Sequence, residues 1–192
     1  MNQPIILVGM MGAGKTAVGR RLAARLGHTF LDCDHELEAK CGAPVSTIFE
    51  LEGEEGFRKR ESEMLEELTL RERVVISTGG GGVIREENRR ILSERGTVVY
   101  LRAQLQELWH RTRRDKRRPL LQSLDPKQRL SELLEIRRPF YESVAHITVD
   151  TGRQPVDSVV RNIIEVLQIE LPLLDVKEEA TAAFAIGLPH AN

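Results

Sequence analysis

The chain has 192 residues, 41% of them hydrophobic, enough for one α/β domain with a packed core. Its 28 basic and 29 acidic side chains leave a net charge of −1, and aromatic residues make up 4%; neither figure favours a nucleic-acid binder. No apolar run approaches the roughly eighteen residues a membrane span needs.

The N-terminus has no basic region followed by a long apolar run, and Cys33 and Cys41 match no zinc, redox or disulfide pattern. A cytoplasmic protein is expected, with no membrane or nucleic-acid partner. It is expected to be monomeric, because no coiled-coil or exposed apolar repeat is present.

The first predicted strand, 4–9, is short and β-branched, as a buried parallel strand should be. Gly9-Met10-Met11-Gly12-Ala13-Gly14-Lys15-Thr16 follows and fits G-x-x-x-x-G-K-[ST]. Val18, Leu22 and Leu26 then recur at four-residue steps, predicting a helix over 15–26 that stops at Gly27. Glycines let backbone N–H groups approach an anion, and the helix N-terminus adds partial positive charge. In this reading Lys15 reaches the outer phosphates and the Thr16 hydroxyl ligates Mg²⁺. A rival pattern, G-x-G-x-x-[GA], also fits Gly12 to Ala17, with Asp34 twenty residues past Gly14 where a ribose ligand would stand. That pattern leaves Gly9, Lys15 and Thr16 unexplained.

The second strand, 29–33, ends in "FLDCD". Strand alternation points Asp32 and Asp34 to one side and Cys33 to the other. At a carboxyl strand end the two acids would face the phosphate loop, one placing Mg²⁺ and the other holding an attacking hydroxyl. Asp34 could equally cap the next helix, 35–40.

A helix over 54–70 buries Phe57, Met64, Leu65 and Leu68, and the three-residue spacing of Arg58 and Glu61 suggests a surface ion pair. The third strand, 74–78, runs into four glycines, Gly79 to Gly82; a tight turn needs fewer, so close backbone approach to a ligand is expected. A helix at 86–95, a strand at 97–101 and a helix at 104–114 follow.

"RTRRDKRRPLL", at 111–121, is strongly basic but lacks an aromatic. A nucleic-acid patch would want one. A cover over the triphosphate suits the stretch better, with one arginine aimed at the transferring phosphoryl group. Asp125-Pro126 opens a helix over 126–143, which Pro139 should bend or restart. A strand at 146–150 and a helix at 155–168 complete the alternation. The pattern implies a parallel sheet with helices on both faces. Residues 171–192 form a tail of unassigned purpose.

Taken in order, "GMMGAGKTAVGRRLA", "DCD", "GEEGFRKRE", "STGGG", "RRPLL", "RRPFYE" and "VDT" make the chain resemble the shikimate kinase family over about 4–168. The resemblance implies an α/β three-layer P-loop NTPase fold with a five-stranded parallel sheet. It implies one kinase domain over 1–170, with a substrate-binding segment at about 33–62 and a lid at about 111–125.

The implied reaction moves the γ-phosphoryl of ATP to the 3-hydroxyl of shikimate, with Mg²⁺, in aromatic amino-acid biosynthesis. Gly12, Ala13, Gly14, Lys15, Thr16 and Ala17 would hold the ATP phosphates. Thr16 and Asp32 would place the metal. Asp34 would bind shikimate hydroxyls and activate one of them. Arg58 and Arg137 would grip the carboxylate, Arg137 rather than Arg138 standing two before the proline. Gly79, Gly80 and Gly81 would line the substrate site. Arg118 would be the lid arginine, Arg111 would flank adenine, and Gln154 would lie at the adenine edge. Gly82 stands where the family often has alanine, and the tail exceeds the family norm. The alternative is another small-molecule P-loop kinase, for gluconate or a nucleoside monophosphate.

Overall fold

The computed structural model describes residues 2–113 and 124–167. The tail at 171–192 and most of the expected lid, with Arg118 and Pro119, lie outside the described residues.

Five strands, β1 (Ile5–Val8), β2 (Thr29–Asp32), β3 (Val74–Ser77), β4 (Thr97–Arg102) and β5 (Ile147–Asp150), form one parallel sheet ordered β2-β3-β1-β4-β5. Every residue of β1 and β3 is buried, so both faces of the sheet centre are covered. The covering helices are α1 (Lys15–Leu26), α2 (Cys33–Cys41), α3 (Val45–Leu68), α4 (Glu86–Arg95), α5 (Leu105–Thr112), α6 (Pro126–Val144) and α7 (Val156–Val166). Helix α1 packs with α7, while α4 packs with α3 and α6. The chain runs from β1 out to β2, back through β3, then across to β4 and β5. Parallel register brings the carboxyl ends of β1, β2 and β3 together, and the loops that leave them meet at one edge.

Local signals account for most boundaries. Gly27 closes α1 in the left-handed region at φ 63°. The Asp125 carboxylate accepts from the amides of Lys127 and Gln128 at 3.1 and 3.0 Å and opens α6, with Pro126 as its first residue. Phe57, Met64, Leu65 and Leu68 are all buried, as their spacing predicts.

Two expectations need correction and one needs extension. The helix expected from 54 is preceded by a further helical segment that begins at Val45, and Gly53 (φ 70°, ψ −176°) kinks the chain between the two. Helix α6 does not restart at Pro139; it runs unbroken to Val144. And β2 ends at Asp32, so Asp34 belongs to the first turn of α2, not to a strand.

Candidate active site

The phosphate loop links β1 to α1. Gly12 and Gly14 adopt φ of 82° and 97°, which L side chains resist, and a Cβ on Gly12 would meet the Thr112 methyl at 2.7 Å. Lys15 is buried, its Nζ donating to the carbonyls of Gly9 and Met10 at 2.7 and 3.1 Å. The ammonium therefore lies within the loop's own concavity. Thr16 and Ala17 are exposed one step further on. The Thr16 hydroxyl donates to Asp32 Oδ2 at 2.9 Å, joining the end of β2 to the start of α1.

The second group gathers on the turn after β3. The Gly82 and Ile84 amides donate to the carbonyls of Gly79 and Gly81 at 3.1 and 2.9 Å, folding the glycines into a compact turn. A Cβ on Gly79 would stand 2.7 Å from Glu61 Oε1 and 2.8 Å from Asp34 Oδ1. On Gly80 it would lie 3.3 Å from the Met11 amide, and on Gly81 2.1 Å from Arg58 Nη1. Only glycines let Asp34, Glu61, Arg58 and the phosphate loop converge here. Arg137, from α6, completes the group by donating to the Gly80 carbonyl at 3.2 Å. Arg138 next to it is exposed.

Arg58 and Glu61 do pair, at 2.6 Å, but not on the surface: Arg58 is 5% exposed and Glu61 0%. Burial raises the Glu61 carboxyl above its usual range, with Arg58, Arg137 and Arg85 pulling the other way. Burial likewise lowers the Arg137 guanidinium, and nearby Arg58 adds to that. Arg58 Nε and Glu61 Oε1 are buried without a hydrogen-bond partner. Arg58 also donates to the exposed Glu54 at 3.2 Å, and Asp34 and Glu61 stand beside the same turn, so two guanidinium forks able to grip a carboxylate are held among acidic partners.

A third region, a cleft of about 680 Å³, opens beside the phosphate loop between α5 and the loop after β5. Gln104, Glu107, His110, Arg111, Gly152 and Arg153 are among its lining residues. Arg111 spans it, donating to the carbonyls of Gly12 at 3.1 Å, Thr151 at 3.3 Å and Gly152. Gln154 is exposed and follows Arg153 directly, but does not itself line the cleft.

The shikimate kinase family model matches residues 11–168, most of the chain. The chain belongs to the shikimate kinase family. A shikimate kinase from Burkholderia thailandensis is 54% identical over 167 residues, spanning 87% of this chain and 90% of that relative. The solved shikimate kinase from Acinetobacter baumannii, in complex with shikimate, superposes with a TM-score of 0.86 at 49% identity, covering 88% of this chain and 94% of the other. That from Bacteroides thetaiotaomicron gives 0.81 at 34%, covering 88% and 100%.

Within this shikimate kinase fold, sequence reasoning missed two residues at the cluster. Glu61 was legible as a partner for Arg58 but not as buried. Tyr141 follows Arg137 by four residues, on the same helix face, and the spacing signalled that neighbourhood. It is fully buried and donates to the Gly80 carbonyl at 2.5 Å.

Proposed function

We propose that this member of the shikimate kinase family transfers the γ-phosphoryl of ATP to the 3-hydroxyl of shikimate, giving shikimate 3-phosphate and ADP. One observation carries the reading: Asp34, Arg58 and Arg137 converge on the Gly79–Gly81 turn, and Gly80 lies against the phosphate loop. An acceptor bearing one carboxylate and several hydroxyls complements two guanidinium groups, a carboxylate and a glycine turn.

In the proposed mechanism Arg58 and Arg137 hold the substrate carboxylate, which orients the ring. Gly79, Gly80 and Gly81 shape the floor of the site. Asp34 accepts a hydrogen bond from the attacking hydroxyl and takes its proton as the new O–P bond forms. The bond from the γ-phosphorus to the β–γ bridging oxygen breaks, and ADP leaves with that oxygen. Gly12, Ala13, Gly14, Lys15, Thr16 and Ala17 bind the phosphates, and Lys15 stabilises negative charge on the outer ones. Arg111 and Gln154 are assigned to the adenine side, beside the 680 Å³ cleft. Arg118 is assigned from sequence to a lid over the transferring group.

The residues fit Mg²⁺. The Thr16 hydroxyl and the Asp32 carboxylate lie 2.9 Å apart, two oxygen donors of the kind Mg²⁺ takes. When held by Thr16 and Asp32 it would supply positive charge that offsets the charge on the phosphates.

Coupled detection of ADP tests the proposal. ADP release should depend on shikimate, ATP and Mg²⁺, and neither gluconate nor nucleoside monophosphates should replace shikimate. Release that ignores shikimate, or prefers one of those acceptors, refutes it.

A further inference from the structure

The Tyr141 hydroxyl stands where the two halves of the site touch. It donates to the Gly80 carbonyl at 2.5 Å and lies 3.4 Å from Met10 Sδ of the phosphate loop. Its ring stacks on Tyr100 of β4, with centroids 5.2 Å apart, so the side chain is anchored to the sheet. Arg137 stands one turn earlier on α6 and gives its Nη1 proton to the same carbonyl at 3.2 Å. Both lone pairs of Gly80 are thus occupied from α6.

We infer that Tyr141 is a positioning residue: by sharing the Gly80 carbonyl with Arg137, it fixes that guanidinium against the glycine turn. Without the hydroxyl, Arg137 would be the stronger claimant on Gly80, and its fork would turn away from the substrate carboxylate. Burial holds the phenol well above its usual range, so it remains a donor across the working pH range.

The inference rests on the reading of Arg137 and the Gly79–Gly81 turn as the acceptor site, and the test separates the two. Tyr141→Phe keeps the ring stack and removes one oxygen. Steady-state kinetics and thermal melts are measured for the wild type, Tyr141→Phe, Arg137→Ala and the double variant. Tyr141→Phe should raise the KM for shikimate by roughly three- to tenfold, the size of one hydrogen bond. The KM for ATP should change by less than about twofold. In the Arg137→Ala background the same change should have little further effect. A Tyr141→Phe variant that melts earlier but keeps its shikimate KM, or whose effect is undiminished without Arg137, overturns the positioning role alone. An Arg137→Ala variant with unchanged shikimate KM overturns the acceptor-site reading, and the inference with it.

Discussion

Substituting Gly81 by alanine tests the acceptor cluster with a single methyl group. The added Cβ would stand 2.1 Å from Arg58 Nη1, 2.5 Å from Cζ and 2.6 Å from Nη2, overlapping the whole guanidinium. Ordinary contact begins at 3.4 Å, so Nη1 must retreat by about 1.3 Å, the difference between 3.4 and 2.1. Gly81 lies outside the left-handed region, so the backbone accepts alanine and the damage is confined to Arg58. A shift of that size breaks the 2.6 Å bond to Glu61 and leaves Arg58 with its other partner, the exposed Glu54, to which Nη2 donates at 3.2 Å.

A charged hydrogen bond is worth about 1.5–3 kcal/mol. Displaced from the turn, Arg58 should lose a bond of that size to the substrate carboxylate, so the KM for shikimate should rise roughly tenfold to a hundredfold, while that for ATP barely moves. Gly82 supplies the control within the same turn. Its added Cβ would meet the Gly79 carbonyl and the Thr78 Cβ at 3.4 Å and Leu65 Cδ1 at 3.5 Å, ordinary contacts that admit a methyl. Shikimate titrations and thermal melts of Gly81→Ala and Gly82→Ala decide the matter. If the two behave alike, Arg58 does not hold the substrate as argued.

Three further outcomes are expected. Arg118→Ala should lower kcat on the order of 10³- to 10⁵-fold while sparing much of the ATP affinity; unchanged turnover refutes the lid assignment. Glu61 has a folded-state pKa raised above its usual 4.5, so its fold binds the proton more tightly than the unfolded chain does. Stability from this group is present below 4.5 and lost as pH rises through the higher folded value. Relative to Glu61→Gln, the wild type should therefore lose stability over that interval in urea titrations; a gap that stays constant or widens in its favour refutes the assignment. Finally, burial pushes the Cys33 thiol well above its usual range, while Cys41 is only part-buried. Maleimide and mass spectrometry should find one modified thiol, Cys41, on the folded protein and two after unfolding.

Much of the fold was legible because the strands are short, β-branched and separated by helix patterns with glycine, proline or aspartate at their ends. Where reading failed, a local rule met a tertiary demand. The helical segment at 45–52 went unread, and the non-helical Gly53 kinks the chain between it and the expected helix from 54. Phe49, before the kink, packs on Phe57 after it, with ring centroids 4.5 Å apart. Pro139 should bend or restart α6, and the helix does not restart there, running on with buried Arg137 and Tyr141 on either side. Neither outcome is encoded in the few residues around the breaker.

The acidic pair shows how a site can be found by an argument whose geometry is wrong. Strand alternation placed Asp32 and Asp34 side by side, but the strand stops between them and Asp34 turns with the first residues of α2. The consequence differs chemically. Two adjacent parallel carboxylates would repel each other and compete for one cation. Instead Asp32 meets Thr16 at the phosphate loop, and Asp34 reaches the glycine turn beside Glu61. The helix start separates the metal side from the acceptor side while keeping both at one sheet edge. Arg58 was misplaced for a related reason. Spacing revealed its partner, but the burial of that pair depends on a turn arriving from β3, about twenty residues on, with no side chain at Gly81 to block it. The four glycines carried that information. Read as a place for backbone N–H groups to approach a ligand, they also serve as the gap into which a charged pair is packed.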